Sequence, residues 1–103
     1  MTRNKDTYRR ANRTLYALST AQWRAKRDGY APVDKATLLP RPLDGCCELC
    51  HNPRSLCIDH DHNTGCFRGW LCQPCNRSLG TFGDSVEGLK RAIDYLQRRT
   101  VNS

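Results

Sequence analysis

Between residues 7 and 28, TYRRANRTLYALSTAQWRAKRD, there is neither glycine nor proline, and Tyr8, Ala11, Leu15, Leu18 and Gln22 recur at steps of three and four. That spacing predicts one long helix with an inward stripe, closed by Gly29 just past its end. Residues 30–45, YAPVDKATLLPRPLDG, hold three prolines and little periodicity, which predicts an irregular connector laid over the surface. From Leu56 the period becomes two: Leu56, Ile58 and His60 alternate with Cys57, Asp59 and Asp61, as in a short strand. Asn63-Thr64-Gly65 is a turn signal, and CFRGWL at 66–71 reads as the returning strand of a hairpin.

A short helix is expected to begin near Pro74 and Cys75, and a second at DSVE, with Gly83 as the break between them. There Asp84 as N-cap and Glu87 three residues on fit a capping box. Val86, Leu89, Ile93 and Leu96 then keep one face apolar, while Lys90, Arg91, Arg98 and Arg99 keep the other wet. The chain divides into a basic helical arm (1–29), a connector (30–45) and a core with a C-terminal helix (46–103), an α+β arrangement.

With 103 residues, 38% of them hydrophobic, and a mean hydropathy of −0.74, the core must be thin and needs a further constraint such as a metal or a partner subunit. Seven cysteines supply the candidate. An odd number cannot all pair as disulfides, no signal-peptide core is evident, and two Cys-x-x-Cys pairs are present, so a reduced compartment, the cytoplasm, is expected. No apolar run approaches the roughly 20 residues that span a bilayer, so no membrane role is expected. A net charge of +7, from 17 Lys and Arg against 10 acids, attracts polyanions and points to DNA. Arg9, Arg10, Arg13, Arg24, Lys26 and Arg27 lie on the first predicted helix, with Arg3 and Lys5 just before it, so that helix can present cations to phosphates. The alternative is a solvated face of a surface helix.

Cys47-x-x-Cys50 and Cys72-x-x-Cys75, separated by residues 51–71, have the spacing of a four-thiolate zinc site in which each pair forms a tight knuckle. Four thiolates leave no open position for substrate, so the metal's role is structural. Its binding free energy, about 10 to 16 kcal/mol, would make folding depend on it. Cys46 is a neighbour, and Cys57 and Cys66 are small strand hydrophobes. A mixed set of Cys47, Cys50, His60 and His62 has the wrong distances for a two-cysteine, two-histidine finger, which leaves the histidines for other work.

Asp59, His60, Asp61 and His62 form DHDH at the end of the first strand. On a regular strand the two acids point to one side and the two histidines to the other, though distortion near the turn can bring His62 into a shared site. Asn76 directly follows the second knuckle, so a metal there would hold the start of the next helix against the hairpin. In such a strand, strand, helix unit Asp59 and Asn76 would offer oxygens to a hard divalent cation such as Mg²⁺.

The run of C-x-x-C, IDHDHNTGCFRGWLCQPCN and the LG that follows, with Arg68-Gly69 inside it and a Tyr-Leu helix after it, resembles the phage recombination endonuclease VII family, within the HNH (ββα-metal, His-Me finger) nucleases. The resemblance covers residues 46–97. It implies a zinc-stabilised ββα-metal core and a DNA endonuclease with one catalytic Mg²⁺ or Mn²⁺. Carried over by position, it makes Asp59 and Asn76 the catalytic-metal ligands, His60 the general base and His62 a residue near the scissile phosphate. The chemistry is consistent: an imidazole near pKa 6.5 is largely neutral at pH 7 and can deprotonate water, and one Mg²⁺ can neutralise charge on the phosphate and the leaving 3′ oxygen. The expected products carry a 5′ phosphate and a 3′ hydroxyl.

Arg68 either clamps a DNA phosphate or pairs with an acidic neighbour such as Asp61. Asp61 either orients a histidine ring or sits in solvent beside the turn, and His51 is expected to face water. Junction-resolving members of the family continue into a further helical region that builds an intertwined dimer; here the N-terminal basic helix is expected to lie along the duplex or to form a homodimer contact through Tyr8, Leu15 and Leu18. Nicking by a monomer and paired cuts by a dimer, on duplex or branched DNA, are both open. The alternative readings are a non-catalytic zinc-stabilised DNA-binding module and a zinc-stabilised protein-interaction module.

Overall fold

The computed structural model describes residues 13–99, in two compact units that divide between Cys72 and Gln73. The expected apolar contacts of Tyr8 and Ala11, and the basic residues Arg3, Lys5, Arg9 and Arg10, lie outside the described residues.

The first unit opens with helix α1 (Arg13–Asp28), which packs on the hairpin strand β1 (Leu56–His60). Gly29, at φ 76°, takes the left-handed conformation that ends the helix, and the Tyr30 N–H donates back to the Ala25 carbonyl at 2.8 Å. The buried stripe differs from the expected one. Ala17, Ala21 and Ala25 are buried, whereas Leu15 lies 63% exposed. The helix also meets the connector, where Gln22 Nε2 donates to the Val33 carbonyl at 3.0 Å and the Val33 N–H donates to Gln22 Oε1 at 2.8 Å.

The connector is irregular and mostly exposed, and hydrogen bonds tie it to the hairpin. The Ala31 N–H donates to the His62 carbonyl (2.9 Å) and the Asp34 N–H to the Gly65 carbonyl (2.8 Å). Thr37 Oγ1, in a 3₁₀ turn over Lys35–Thr37, accepts the Phe67 N–H at 2.9 Å. Gly65 is required here: it sits at φ 83°, and a Cβ would fall on the Pro32 carbonyl oxygen.

Strand β1 pairs antiparallel with β2 (Phe67–Cys72), Leu56 opposite Cys72 through Asp59 opposite Gly69. The register then slips, with His60 opposite Phe67, so that Arg68 is an extra residue on β2 and a bulge forms. Trp70 is 1% exposed and fills the centre with Ile58, Leu56 and Leu71. Its Nε1–H donates to the Leu39 carbonyl at 2.9 Å and the Arg41 guanidinium lies over its ring at 4.2 Å.

The second unit holds helices α2 (Gln73–Thr81) and α3 (Val86–Arg99). Pro74 in the first turn of α2 gives up no needed N–H. Gly83, at φ 82°, ends this helix as expected, and the Asp84 N–H returns to the Leu79 carbonyl at 2.7 Å. Asp84 is thereby part of the closing turn of α2, and the expected capping role passes to Ser85, whose Oγ accepts the Gly88 N–H at 3.1 Å. Val86, Leu89, Ile93 and Leu96 do share a face of α3, and that face is exposed.

Candidate metal centre and active site

The first knuckle follows a short bridge between Cys46 and Pro53. The His51 N–H donates to the Cys47 carbonyl at 2.9 Å, the Leu49 N–H donates to Cys47 Sγ at 3.4 Å, and His51 at φ 64° makes the tight return. Glu48 fixes this knuckle on β2: its N–H donates to the Trp70 carbonyl at 3.0 Å and its carboxylate accepts the Trp70 N–H. A side chain at Gly69 would crowd that carboxylate.

The ligand atoms of Cys47, Cys50, Cys72 and Cys75 all lie within 4.8 Å of one another, with Cys50 and Cys72 sulfurs 3.9 Å apart. Sulfurs about 2.3 Å from a tetrahedral zinc sit about 3.8 Å from each other, so the group fits this metal. Burial alone pushes the Cys47 thiol up, but hydrogen bonds from the backbone N–H groups of Cys50, Cys72 and Leu49 and from the Cys50 thiol outweigh it and bring it down to about 6. A thiolate is the form that binds metal. The other cysteines stand apart from the group: Cys46 is held by Asp44, Cys57 Sγ donates to the Leu71 carbonyl at 3.2 Å, and Cys66 is exposed on the hairpin.

The bulge falls inside DHDH, between Asp59 and His60. Asp59 and His60 are both buried, at 5% and 6% exposure. The acidic neighbour that Arg68 pairs with is Asp59, with Nε to Oδ2 and Nη2 to Oδ1 both 2.8 Å. His60 Nε2 lies 3.1 Å from the Ala31 carbonyl oxygen. The His62 ring stacks on Tyr30, centroids 3.9 Å apart and planes 4° from parallel, and turns toward His60 edge to face at 5.6 Å. Asp61 serves the turn: its Oδ1 accepts the N–H groups of Thr64 and Asn63 at 2.8 Å each, and these bonds hold its carboxyl below the ordinary value. His51 is exposed.

The hairpin thus pairs Asp59 with Arg68 and sets the His60 ring against His62, while Asn76 lies in the first turns of α2, directly after Cys75. Tyr30 and Ala31 also reach the histidines, and the chain pattern gave no warning of it. The one available signal was an aromatic residue immediately after the helix-ending Gly29. Of the expected basic face, Arg13 and Arg27 are exposed and Arg24 is half-buried. Arg27 lies over the Trp23 ring at 5.0 Å and pairs with Asp28 at 2.8 Å, which raises the guanidinium and lowers the carboxyl. Among the described residues, no helix is long and apolar enough to cross a membrane.

Residues 20–98 match the model of the recombination endonuclease VII family. The chain is 46% identical over 59 residues to the gene 59 protein of Mycobacterium phage D29, covering 52% of this chain and 36% of that protein. It is 46% identical over 57 residues to the gene 59 protein of Mycobacterium phage L5, covering 50% of this chain and 35% of that one. The chain therefore spans about a third of the length of the relatives it matches. Among solved structures it resembles the ββα-Me type II restriction endonuclease Hpy99I, with 32% identity and a TM-score of 0.51 over 58% of this chain and 36% of that one. Hairpin, following helix and paired knuckles are a small α+β fold of this ββα-Me kind, and the chain belongs to the recombination endonuclease VII family.

Proposed function

We propose that this protein hydrolyses phosphodiester bonds in DNA, with His60 as general base and a hard divalent cation, Mg²⁺ or Mn²⁺, held by oxygens of Asp59 and Asn76. The observation that carries the reading is the His60 ring, buried to 6% exposure with Nε2 3.1 Å from the Ala31 carbonyl oxygen. A carbonyl has no proton to give, so Nε2 carries the hydrogen and Nδ1 is the ring's acceptor. A fixed tautomer in a fixed orientation is what a base needs in order to take a proton from water. Water oxygen then attacks phosphorus as the bond to the 3′ oxygen breaks; His60 Nδ1 takes the attacking water's proton, and the departing 3′ oxygen takes a proton from solvent water. The products carry a 5′ phosphate and a 3′ hydroxyl.

The donor set suits the cation. An ionised carboxylate offers about four lone-pair sites. The two bonds from Arg68 leave half of them, and a carboxylate with a carboxamide makes a hard, all-oxygen set unlike the four sulfurs. When bound, such a cation neutralises charge on the scissile phosphate and the leaving oxygen. Arg68 holds the Asp59 carboxylate in one orientation, and the His62 N–H groups are the donors proposed to meet the phosphate. Zinc on Cys47, Cys50, Cys72 and Cys75 is proposed as structural. Arg13, Arg24 and Arg27 on α1 supply cationic charge that draws in the duplex.

A passive zinc module has no use for a buried carboxylate and a buried imidazole at successive positions, each of which loses hydration on folding. Incubation of the zinc-loaded protein with supercoiled plasmid tests the reading. Nicked or linear product that requires Mg²⁺ or Mn²⁺ is expected. No cleavage of supercoiled, linear or branched DNA with either metal would reject it in favour of a non-catalytic DNA-binding module.

A further inference from the structure

Tyr30 is the residue whose placement neither packing nor the family motif accounts for. It is 41% exposed, so it is no core residue, yet its ring lies flat on His62 at 3.9 Å with the planes 4° apart. Its backbone is firmly held. The Tyr30 N–H donates to the Ala25 carbonyl at 2.8 Å, Ala31 bonds the His62 carbonyl through its N–H and His60 Nε2 through its own carbonyl, and Gln22 bonds Val33 from both sides. One face of the His62 ring is covered by Tyr30, and the ring is turned toward His60 at 5.6 Å and 69°. An imidazole beside a turn would otherwise sample several rotamers, each meeting a phosphate differently.

We propose that Tyr30 is a positioning residue for DNA cleavage: its ring holds the His62 imidazole in one orientation beside His60, ready for the scissile phosphate. This rests on the nuclease reading above. The stack uses the ring face and leaves the phenol hydroxyl out, so phenylalanine serves equally well.

Cleavage kinetics on plasmid DNA test it. Tyr30→Ala is expected to lower kcat about 3- to 10-fold with KM changed less than about 2-fold, because the ring it orients acts on the transition state. Tyr30→Phe is expected to restore the rate. In a His62→Ala background Tyr30→Ala should have no further effect, since no ring remains to be held, whereas a general structural role would give a second, multiplied loss. Zinc content and helical circular dichroism certify each variant as folded, and Tyr30→Leu takes the place of Tyr30→Ala if the latter does not fold. An unchanged kcat in a folded variant, or an independent loss in the His62→Ala background, overturns the assignment while leaving the nuclease reading intact. A wild-type protein that cuts no DNA overturns both.

Discussion

The Arg68 guanidinium holds the Asp59 carboxylate through two parallel bonds, each 2.8 Å, across the bulge that sets His60 opposite Phe67. Asp59 is 5% exposed and the Arg68 side chain 34%, so the acid depends on this partner more than the base does. Arg68→Ala would leave a buried charge uncompensated and is expected to destabilise the zinc-loaded protein by about 2–3 kcal/mol, below the range for a fully buried pair because Arg68 is partly wet. Arg68→Lys keeps the charge and loses the fork, so its loss should be smaller. Urea unfolding measures both, and a change under about 0.5 kcal/mol for Arg68→Ala would contradict the pairing.

Zinc is expected at one ion per chain, with cobalt in its place giving the absorption of a tetrahedral tetrathiolate. Cys50→Ala should lose the metal and the folded circular dichroism, as should strong chelation, because a core this thin leans on the metal. Cys57→Ala, whose sulfur bonds the Leu71 carbonyl outside the group, should retain both. Metal retained by Cys50→Ala would contradict the site.

The pH dependence of that site follows from Cys47, whose thiol is brought from an ordinary 9.0 down to about 6 in the fold. A thiol lowered in the folded state gives a contribution that is fully present above the ordinary value and is lost as pH falls through the folded one. Zinc affinity, followed by chelator competition, should therefore fall as the solution is acidified toward and below about 6. A flat profile from pH 8 to about 5 would contradict it.

In the second unit the capping hydroxyl belongs to Ser85, whose Oγ accepts the Gly88 N–H at 3.1 Å. Ser85→Ala should destabilise α3 by about 1 kcal/mol and lower its helical signal, while Asp84→Gly, at φ 53°, where glycine is unstrained, should lower it less. Equal losses for the two would restore Asp84 to the capping role.

Those two residues mark where chain pattern stops being informative. Asp84-x-x-Glu87 satisfies the capping box, but Gly83 turns the chain so that the Asp84 N–H closes the preceding helix, a competition between two helix ends that pattern alone does not resolve. The hairpin and the four-sulfur group were legible because period-two alternation and Cys-x-x-Cys spacing are local signals. The bulge at Arg68 was not, nor was the pairing of Arg68 with Asp59 across it. Nor was the alanine stripe of α1, because Ala17, Ala21 and Ala25 are buried by tertiary packing, and the larger Leu15 is left exposed. Tyr30 and Ala31 fall in the same class, being brought to the histidines by tertiary contacts.

The measurement that bears most directly on the nuclease reading is the single-turnover rate of plasmid cleavage by His60→Ala, with DNA binding measured alongside. A base held by the Ala31 carbonyl predicts a rate lowered by about 10²- to 10⁴-fold with binding and zinc content unchanged. A folded, zinc-loaded His60→Ala protein that cuts DNA at the wild-type rate would contradict it.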